Sequence, residues 1–558
     1  MTVLQCALAA TVSLLVPQRD IAPVVHPVRV DPAAAVRFLD RATFGASNED
    51  VIFVTRFGYE AWIDAQFAVP PTLKLPAMIQ LGCAPDQPGQ SFATCPNYDA
   101  IPHLGLLAQE WWNDALHAPD QLRQRVAFAL SEIFVVSDLN GTVQNFPSTL
   151  SDYYDTLVRG AFSNYRQLLE EVTLHPSMGG YLSMAKNRQA DLTLGTRPDE
   201  NFAREVMQLF SIGLAELNAD GSQQLDAWFQ PIPTYDQNTI TETARALTGW
   251  NYDGVAPSGS LLDFLLNYPR IGMMIAWSAF HDTGPKAIVG GSLLPPGWTA
   301  EADLGGVLDA LSQHPNVGPF LGKQLIQRLV TSNPSPAYVG RIAEVWADDG
   351  SGARGNLEAV VRAILLDPEA LEGYATRPLT FGKLREPILK LTGLWRKFRA
   401  TGEVVLTPYL ADEFFGQRAM GSPSVFNFFS PFHASPALQA QGLVSPELQI
   451  ATHSKVTRTA NALTFFIVSG NTDLPDPAFS EPLLDLGPLR QRASDPASLV
   501  AYLDLRVLGG TMSPETRILL EAHLATVPHL VPGLPDGFLR AVEALALLVI
   551  SPDYALQS

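Results

Sequence analysis

The sequence predicts a mainly α-helical fold: one large multi-helix globular body with long loops and a small β-hairpin near residues 279–291. Apolar residues recur with helical spacing along most of the chain, strand-like alternation is rare, and no repeat of fixed period is visible. The 558 residues are 47% hydrophobic and 17% charged, which is enough apolar material for a sizeable core. We therefore expect residues 31–558 to form a single helical domain.

Start and stop signals predict the individual helices. Asp31 and Pro32 begin the first helix, Gly58 separates two short ones, and Pro119 separates a pair of long ones. The same periodicity predicts further helices within 151–185, 197–213, 240–248, 302–331, 337–347, 356–366, 379–399, 447–468, 497–506, 514–525 and 537–549.

The N-terminal residues are typical of an export signal whose basic start is missing. Residues 1–16 carry no charge and are shorter than the roughly 20 residues of a membrane span. A small-residue Ala-Leu-Ala site follows at 7–9, whereas the first positive charge is Arg19. We interpret 1–25 as a leader or truncated signal-like segment, the alternative being a buried helix. We expect a periplasmic or extracellular protein with no integral membrane span.

Cysteine usage favours the same compartment. Beyond Cys6, the chain has only Cys83 and Cys95, which flank a loop rich in Pro, Gly and Gln. A disulfide between them suits an oxidising environment and would contribute roughly 3 kcal/mol by closing so short a loop. Two isolated thiols cannot complete a zinc site.

Charge and missing motifs exclude several classes of function. The net charge is −19 and the pI is near 4.9, and no basic run is dense enough to bind phosphates, so we expect no nucleic-acid partner. The sequence contains no phosphate-binding glycine loop, dinucleotide fingerprint, His-Glu-x-x-His helix or Gly-x-Ser-x-Gly elbow. We predict no cofactor and no metal.

The segment RPDENFAREVMQLFSIG (197–213) concentrates polar side chains on one side of a predicted helix. Thr196 and Asp199 have capping-box spacing, and Gly213 supplies a stop. From the pattern alone, a solvated or structurally paired face is favoured over a functional site. The polar residues that fall within an arc of about 140° are Glu200, Asn201, Arg204, Glu205 and Gln208.

The segment AFHDTGPKAIVGG (279–291) predicts a hairpin, with two apolar runs on either side of a Gly-Pro turn. It places His281, Asp282 and Lys286 on or beside that turn, where an imidazole next to a carboxylate could act as an acid–base pair. An ordinary turn-forming role for Asp282 is the favoured alternative. Residues 216–226 begin like a calcium loop but lack its final Glu, so a plain Asp-Gly turn is favoured there.

Several segments together resemble a known bacterial family, the one catalogued as domain of unknown function 1800. The resemblance implies a mainly helical protein, usually exported and often encoded beside secreted sulfatase-like proteins, so a protein of that kind is a possible partner. The resemblance implies no established activity. The matching segments, in family order, are RATFGAS (41–47), LRQRVAFALSEIFVVS (122–137), HPSMGGYLSM (175–184), RPDENFAREVMQLFSIGLAELNADGS (197–222), ARALTGW (244–250), FHDTGPKAIVGG (280–291), SPSVFNFFSPFH (422–433) and LVISPDYALQS (548–558).

The chain also departs from this family's pattern. Many relatives carry His-Asn-His-Phe at 131–134 and His-Thr-Leu-Gly at 210–213. Here Ser131, Ile133 and Phe210 replace the three histidines, so we transfer no metal site. With this resemblance, two interpretations of the polar face are equally favoured. One is a functional site, and the other is a buried structural network of Arg204 with Glu200 and Glu205. The positions that match are Glu200, Asn201, Arg204, Glu205, Trp250, His281, Asp282 and Lys286.

Two classes of function follow. The favoured one is a non-catalytic cell-envelope or secretion-associated factor, because no recognised nucleophile or cofactor site is present. The alternative is an enzyme acting on an extracellular polymer or glycan, which requires His281 within reach of the 200–208 face in an open pocket. Its acid–base pair would be His281 and Asp282, its carboxylates Glu200 and Glu205, its charge-stabilising groups Arg204 and Lys286, and its binding residues Asn201, Gln208 and Trp250.

Overall fold

The computed structural model describes residues 29–80, 104–193, 195–476 and 479–558. The leader-like segment 1–25 and both Cys83 and Cys95 lie outside the described residues, so the leader and the disulfide stay predictions. The described chain consists of helices joined by loops and three two-stranded antiparallel ribbons, which confirms the mainly α-helical fold. Within these ranges, none of the helices has both the length and the apolar character needed to cross a bilayer.

The helices are α1 (Pro32–Ala42), α2 (Asn48–Phe57), α3 (Tyr59–Ala68), α4 (Lys74–Gln80), α5 (Leu104–His117), α6 (Gln121–Ser131), α7 (Pro147–Gly160), α8 (Tyr165–Leu174), α9 (Pro176–Tyr181), α10 (Asn201–Gln208), α11 (Gln237–Ala246), α12 (Leu261–Leu266), α13 (Ala300–Gln313), α14 (Val317–Leu329), α15 (Pro336–Ala347), α16 (Leu357–Leu366), α17 (Pro368–Thr376), α18 (Pro387–Lys397), α19 (Thr407–Phe414), α20 (Pro436–Gln439), α21 (His453–Ser469), α22 (Gly487–Arg490), α23 (Pro496–Leu503), α24 (Pro514–Thr526), α25 (Phe538–Val549) and α26 (Pro552–Ala555). The ribbons pair β1 (Trp250–Asn251) with β2 (Ile275–Ala276), β3 (Lys286–Ala287) with β4 (Leu293–Leu294), and β5 (Lys383–Leu384) with β6 (Leu556–Gln557).

Local sequence signals set many of the helix ends. The Asp31 carboxylate accepts a hydrogen bond from the Ala34 amide, and Pro32 occupies the first turn of α1. Gly58 adopts a φ of 90° between α2 and α3, a conformation that glycine reaches without strain. These are the positions that the sequence predicts.

A contiguous apolar core runs from Ala35 in α1 to Tyr554 in α26. Its tryptophans connect helices that are distant in the chain. The rings of Trp111 and Trp112 lie 5.3 Å apart, and those of Trp112 and Trp395 lie 5.7 Å apart, both edge to face. Such pairs add about 0.5–1.5 kcal/mol beyond the area they bury, and the Trp112–Trp395 pair connects α5 to α18.

The hairpin lies a few residues later than the sequence predicts. Lys286 pairs with Leu294 and Ala287 with Leu293, and the chain turns at 289–291 rather than at the Gly-Pro pair. Pro285 has no N–H to donate to a ladder. The Gly284 amide bonds the Asp282 carboxylate, so this turn cannot support a strand pair.

The helix predicted over 197–213 is shorter than expected. Thr196 forms a β-bridge with Asp191, so the predicted capping box does not form. The Asp199 carboxylate instead accepts from the Asn201 amide at 2.8 Å. After α10, the Gly213 amide bonds the Met207 carbonyl, and Gly213 takes a φ of 73° as the stop.

Candidate functional site

The first part of the α10 polar face contacts α11. Arg204 lies 3.4 Å from Glu200, and both side chains are partly exposed. The Glu200 carboxylate also accepts hydrogen bonds of 2.8 Å from Gln237 and from Thr241. A solvent-exposed pair of this kind contributes about 1 kcal/mol or less. This pair therefore joins two helices at the surface.

The other residues of the α10 polar face lie in three environments: solvent, the protein interior and a cleft that is described below. Asn201 is exposed at the start of α10, whereas Glu205 is buried and its Oε2 atom has no hydrogen-bond partner among the described residues. Burial raises the pKa of Glu205, and Arg204 only partly opposes that shift. No hydrogen bond joins Arg204 to Glu205 in the described part of the chain, so only half of the predicted network forms. Gln208 lines the cleft.

His281 belongs to a buried charged group. Its Nδ1 atom lies 2.9 Å from the Thr248 carbonyl, and its Nε2 atom lies 3.1 Å from Oδ2 of Asp303. Lys286 Nζ lies 2.6 Å from the same carboxylate oxygen. Because His281, Lys286 and Asp303 are all buried, this group connects the hairpin to α13 inside the protein.

Asp282 and Trp250 also have structural environments. Arg245 of α11 binds the Asp282 carboxylate in a bidentate pair, with distances of 2.9 and 3.0 Å. Partial burial raises the pKa of Asp282, but Arg245 outweighs it, and the net shift is downward. Trp250 is 3% exposed in β1 and packs in the core.

The structure does not bring His281 together with the polar face of α10. Glu200 bonds Thr241, and Asp282 bonds Arg245 one turn further along α11. This helix therefore links the two groups that the enzyme hypothesis placed across a pocket. None of Asp282, Lys286 and His281 lines the cleft described next.

A cleft of about 590 Å³ opens beside the C-terminal end of α10. Its walls come from the segment after α6, from α14, from residues 213–223 and from residues 425–432. The lining is predominantly apolar, with a few polar groups. The side chains that matter most to its chemistry are Ile133, Leu214, Phe320, Phe426 and Phe432 on the apolar side, and Glu132, Gln208, Lys323, Gln324 and Arg328 on the polar side.

The floor of the cleft is a buried ion pair. Arg328 Nη1 lies 3.3 Å from Oε2 of Glu132, and its Nη2 donates to the Glu132 carbonyl at 2.9 Å. Asn427 and Gln417 donate to the other Glu132 oxygen at 3.2 and 3.5 Å. Both members of the pair are buried, so the surrounding protein fixes their positions.

A second group of charges lies behind that pair. Lys383 Nζ is 3.0 Å from Glu447 and 3.4 Å from Glu386, and it donates to the Arg328 carbonyl at 2.8 Å. Gln417, which donates to Glu132, also donates to Glu386 at 2.7 Å. Its amide therefore connects the carboxylates of Glu132 and Glu386. One Glu447 oxygen, Oε2, is buried without a hydrogen-bond partner in the part of the chain that the structure describes.

Burial and neighbouring charge set the protonation of these carboxyls. Burial, together with the nearby Glu386, raises the pKa of Glu132 to about 7. Burial also raises the pKa of Glu447. At Glu386 the cations Lys383 and Arg125 outweigh burial and lower the pKa. Glu132 can therefore hold or release a proton near neutral pH, as functional carboxyls in clefts do.

Ser131, Ile133 and Phe210, the positions at which the sequence departs from the expected pattern, have apolar or buried environments. Ile133 lines the cleft, Ser131 is buried one residue before Glu132, and the rings of Phe134 and Phe210 are 5.6 Å apart. No cluster of three or more His, Cys, Asp or Glu suited to a metal ion occurs within the described ranges. Sequence reasoning did not select Glu132, because no local motif around it signals chemistry.

Comparisons with known proteins give a family and no closer relative. No curated protein and no solved structure matches the chain significantly. The family described as Protein of unknown function (DUF1800) matches residues 37–556, which is nearly the whole chain. The protein belongs to the DUF1800 family.

Proposed function

We propose that this protein is an exported, non-catalytic binding protein that holds a small apolar molecule with a polar group in the cleft above Glu132. One observation carries the proposal: a cleft of about 590 Å³ with mostly apolar walls ends on the buried Glu132–Arg328 pair. Small-molecule sites have this character, with volumes of about 300–1,000 Å³ and a few polar groups that orient the ligand.

The rim of the cleft supports the same function. Leu214, Phe426 and Phe432 line it and remain 62%, 54% and 63% exposed. Clustered exposed apolar side chains mark binding surfaces, since they gain most from being covered. A ligand that enters here would cover the rim and present its polar group to the floor.

A neutral solvatochromic dye, Nile red, tests the binding site. We expect its fluorescence to rise on binding to the wild type and to fall for Phe432→Asp, which places a charge on the rim. Leu530→Asp is the matched control, because Leu530 is 64% exposed in another loop and does not line the cleft. Equal binding by both variants, or no binding by the wild type, would overturn the proposal.

The export part of the proposal rests on the leader-like segment 1–25 and on the Cys83–Cys95 pair. Fractionation of cells should place the protein in the periplasm or medium, and both thiols should resist alkylation until a reductant is added. Free thiols in the native protein would count against export. The partner proposed from the family resemblance is a secreted sulfatase-like protein, and co-purification from envelope fractions tests it.

An enzyme acting on an extracellular polymer or glycan is the second candidate. What favours it is Glu132, whose pKa burial and Glu386 raise to about 7 at the floor of a cleft. This version replaces the buried His281 with Glu132 as the acid–base group. Release of reducing ends from cell-envelope polysaccharide by the wild type, lost in Glu132→Gln, would establish it. No release by the wild type leaves the binding function.

A further inference from the structure

We propose that the ligand of the cleft is an amphiphilic anion, whose carboxylate binds Lys323 and whose apolar chain covers the cleft walls. This inference rests on the proposed binding function and adds the chemical class of the ligand. It depends on the environment of one side chain and on the balance of charge in the cleft.

Lys323 is a partly buried lysine without a partner among the residues that the structure describes. The four fully buried lysines are each paired with a carboxylate, whereas the ammonium groups of Lys323 and Lys390 have neither an ion pair nor a hydrogen bond in the described residues, and of these two only Lys323 lines the cleft. The paired lysines and their partners are Lys74 with Asp114, Lys286 with Asp303, Lys383 with Glu447 and Lys397 with Asp40.

Lys323 is nonetheless removed from much of the solvent. It lies on α14 in the wall of the cleft, and its stem passes beside Gly221. Burial lowers the pKa of Lys323, with no acidic group opposing the shift. A cation in an apolar cleft is costly without a counter-charge, so a ligand anion would gain a strong partner there.

The charged side chains of the cleft are mostly positive, whereas the protein as a whole is negative. Its charged lining residues are Glu132, Arg328 and Lys323. Arg328 faces Glu132, whereas Lys323 has no carboxylate beside it among the described residues, in a chain with a net charge of −19. A single ammonium without a protein partner matches a singly charged headgroup, and a carboxylate is such a group.

Displacement of Nile red by two matched amphiphiles tests this inference. Dodecanoate and dodecan-1-ol have the same chain, differ in headgroup charge and would be used below the concentration at which they aggregate. We expect dodecanoate to displace the dye at a concentration at least tenfold lower, as a charge-assisted hydrogen bond implies. Lys323→Met should remove that difference, and Lys323→Arg should keep it.

The control is Lys186→Met. Lys186 is also desolvated, but it bonds the Leu265 carbonyl away from the cleft, so the variant should behave like the wild type. Equal displacement by acid and alcohol in the wild type, or an unchanged preference in Lys323→Met, would overturn the anionic ligand and leave the binding function. Should Lys323→Met fail to fold, the wild-type comparison still decides. Failure of Nile red itself to bind would remove both proposals.

Discussion

At the scale of single residues, buried and surface ion pairs should differ sharply in their contribution to stability. Asp303→Asn removes the charge that faces both Lys286 and His281 in a site closed to water. We expect a loss of about 3–5 kcal/mol in the free energy of unfolding, because buried Lys286 loses its partner at 2.6 Å and keeps only the Asp282 carboxylate, at 3.9 Å, as a charged partner. Urea unfolding measures it.

Glu200→Gln is the control for that variant. It weakens the half-exposed Glu200–Arg204 pair, and we expect a loss of about 1 kcal/mol or less. Similar losses in the two variants would show that the His281 group contributes to stability no more than a surface pair does.

The protonation of Glu132 predicts a pH dependence of stability. Burial and Glu386 raise its pKa from 4.5 to about 7, so the folded state holds this proton more tightly than the unfolded chain. The stability that this group contributes is therefore present below about pH 4.5 and lost as the pH rises to about 7. Glu132→Gln mimics the protonated form and lacks this loss.

We expect the difference in unfolding free energy between Glu132→Gln and the wild type to move in favour of the variant by on the order of 2–3 kcal/mol as the pH rises from 5 to 8, whatever the offset at pH 5 that results from loss of the Arg328 pair. Thermal melts of both proteins across this range measure the difference, in which the other titrating groups cancel. A variant that instead loses stability toward alkaline pH would mean that Glu132 is ionised and stabilised by Arg328.

The residues of the cleft floor could not be selected from the sequence. Glu132 and Arg328 of the floor, and Glu447 behind them, come from separate segments, and none belongs to a local motif that signals chemistry. Their properties arise from burial and from charges that tertiary packing brings together. His281 and Asp282 had the local pattern of an acid–base pair, but packing against α11 and α13 gave them structural partners.

At the scale of elements, sequence signals worked where Gly or Pro interrupts a helix, as at Gly58. They failed where tertiary contacts compete with local preference. The helix predicted over 197–213 keeps only 201–208. Thr196 is a residue type that often caps helices, yet its backbone forms a β-bridge with Asp191 and does not begin α10.

The arm at residues 214–234 is an element that the sequence did not reveal beyond its Asp-Gly turn. Three extended segments of the arm are joined by backbone hydrogen bonds. The Glu216 amide donates to the Ile232 carbonyl at 2.8 Å, the Gln224 amide donates to the Glu216 carbonyl at 2.8 Å, and the Ile232 amide donates to the Gln224 carbonyl at 3.0 Å. The arm forms one wall of the cleft, and its tip exposes Trp228 and Phe229.

Phe229 holds a strained backbone at that tip, with a φ of 61°. A bulky residue in the left-handed region costs about 1–2 kcal/mol, which glycine avoids. We expect Phe229→Gly to keep or raise the free energy of unfolding, by up to about 1 kcal/mol, since the phenyl ring is 81% exposed. Trp228→Gly, at an equally exposed neighbour without positive φ, should instead lower it. Chemical denaturation compares them, and equal losses would exclude strain at Phe229.

At the scale of the whole molecule, the last described residues bind helices from both halves of the chain. Ser558 accepts a hydrogen bond from Arg41 in α1, and Gln557 donates to the Leu329 carbonyl at the end of α14. Tyr554 is buried, and its hydroxyl bonds the Lys390 carbonyl in α18. Removal of residues 554–558 would break these contacts.

These contacts give the expectation of a single domain over 31–558 a direct test. Tyr554→Ala leaves a cavity in the core beside α18, and we expect the free energy of unfolding to fall by about 3–5 kcal/mol. Leu556→Ala, two residues later and 54% exposed, should cost far less. In both variants tryptophan fluorescence and far-ultraviolet circular dichroism should report one coincident transition, because α1, α18 and α26 share one core. Two separate transitions in Tyr554→Ala would instead divide the chain into independently folding parts.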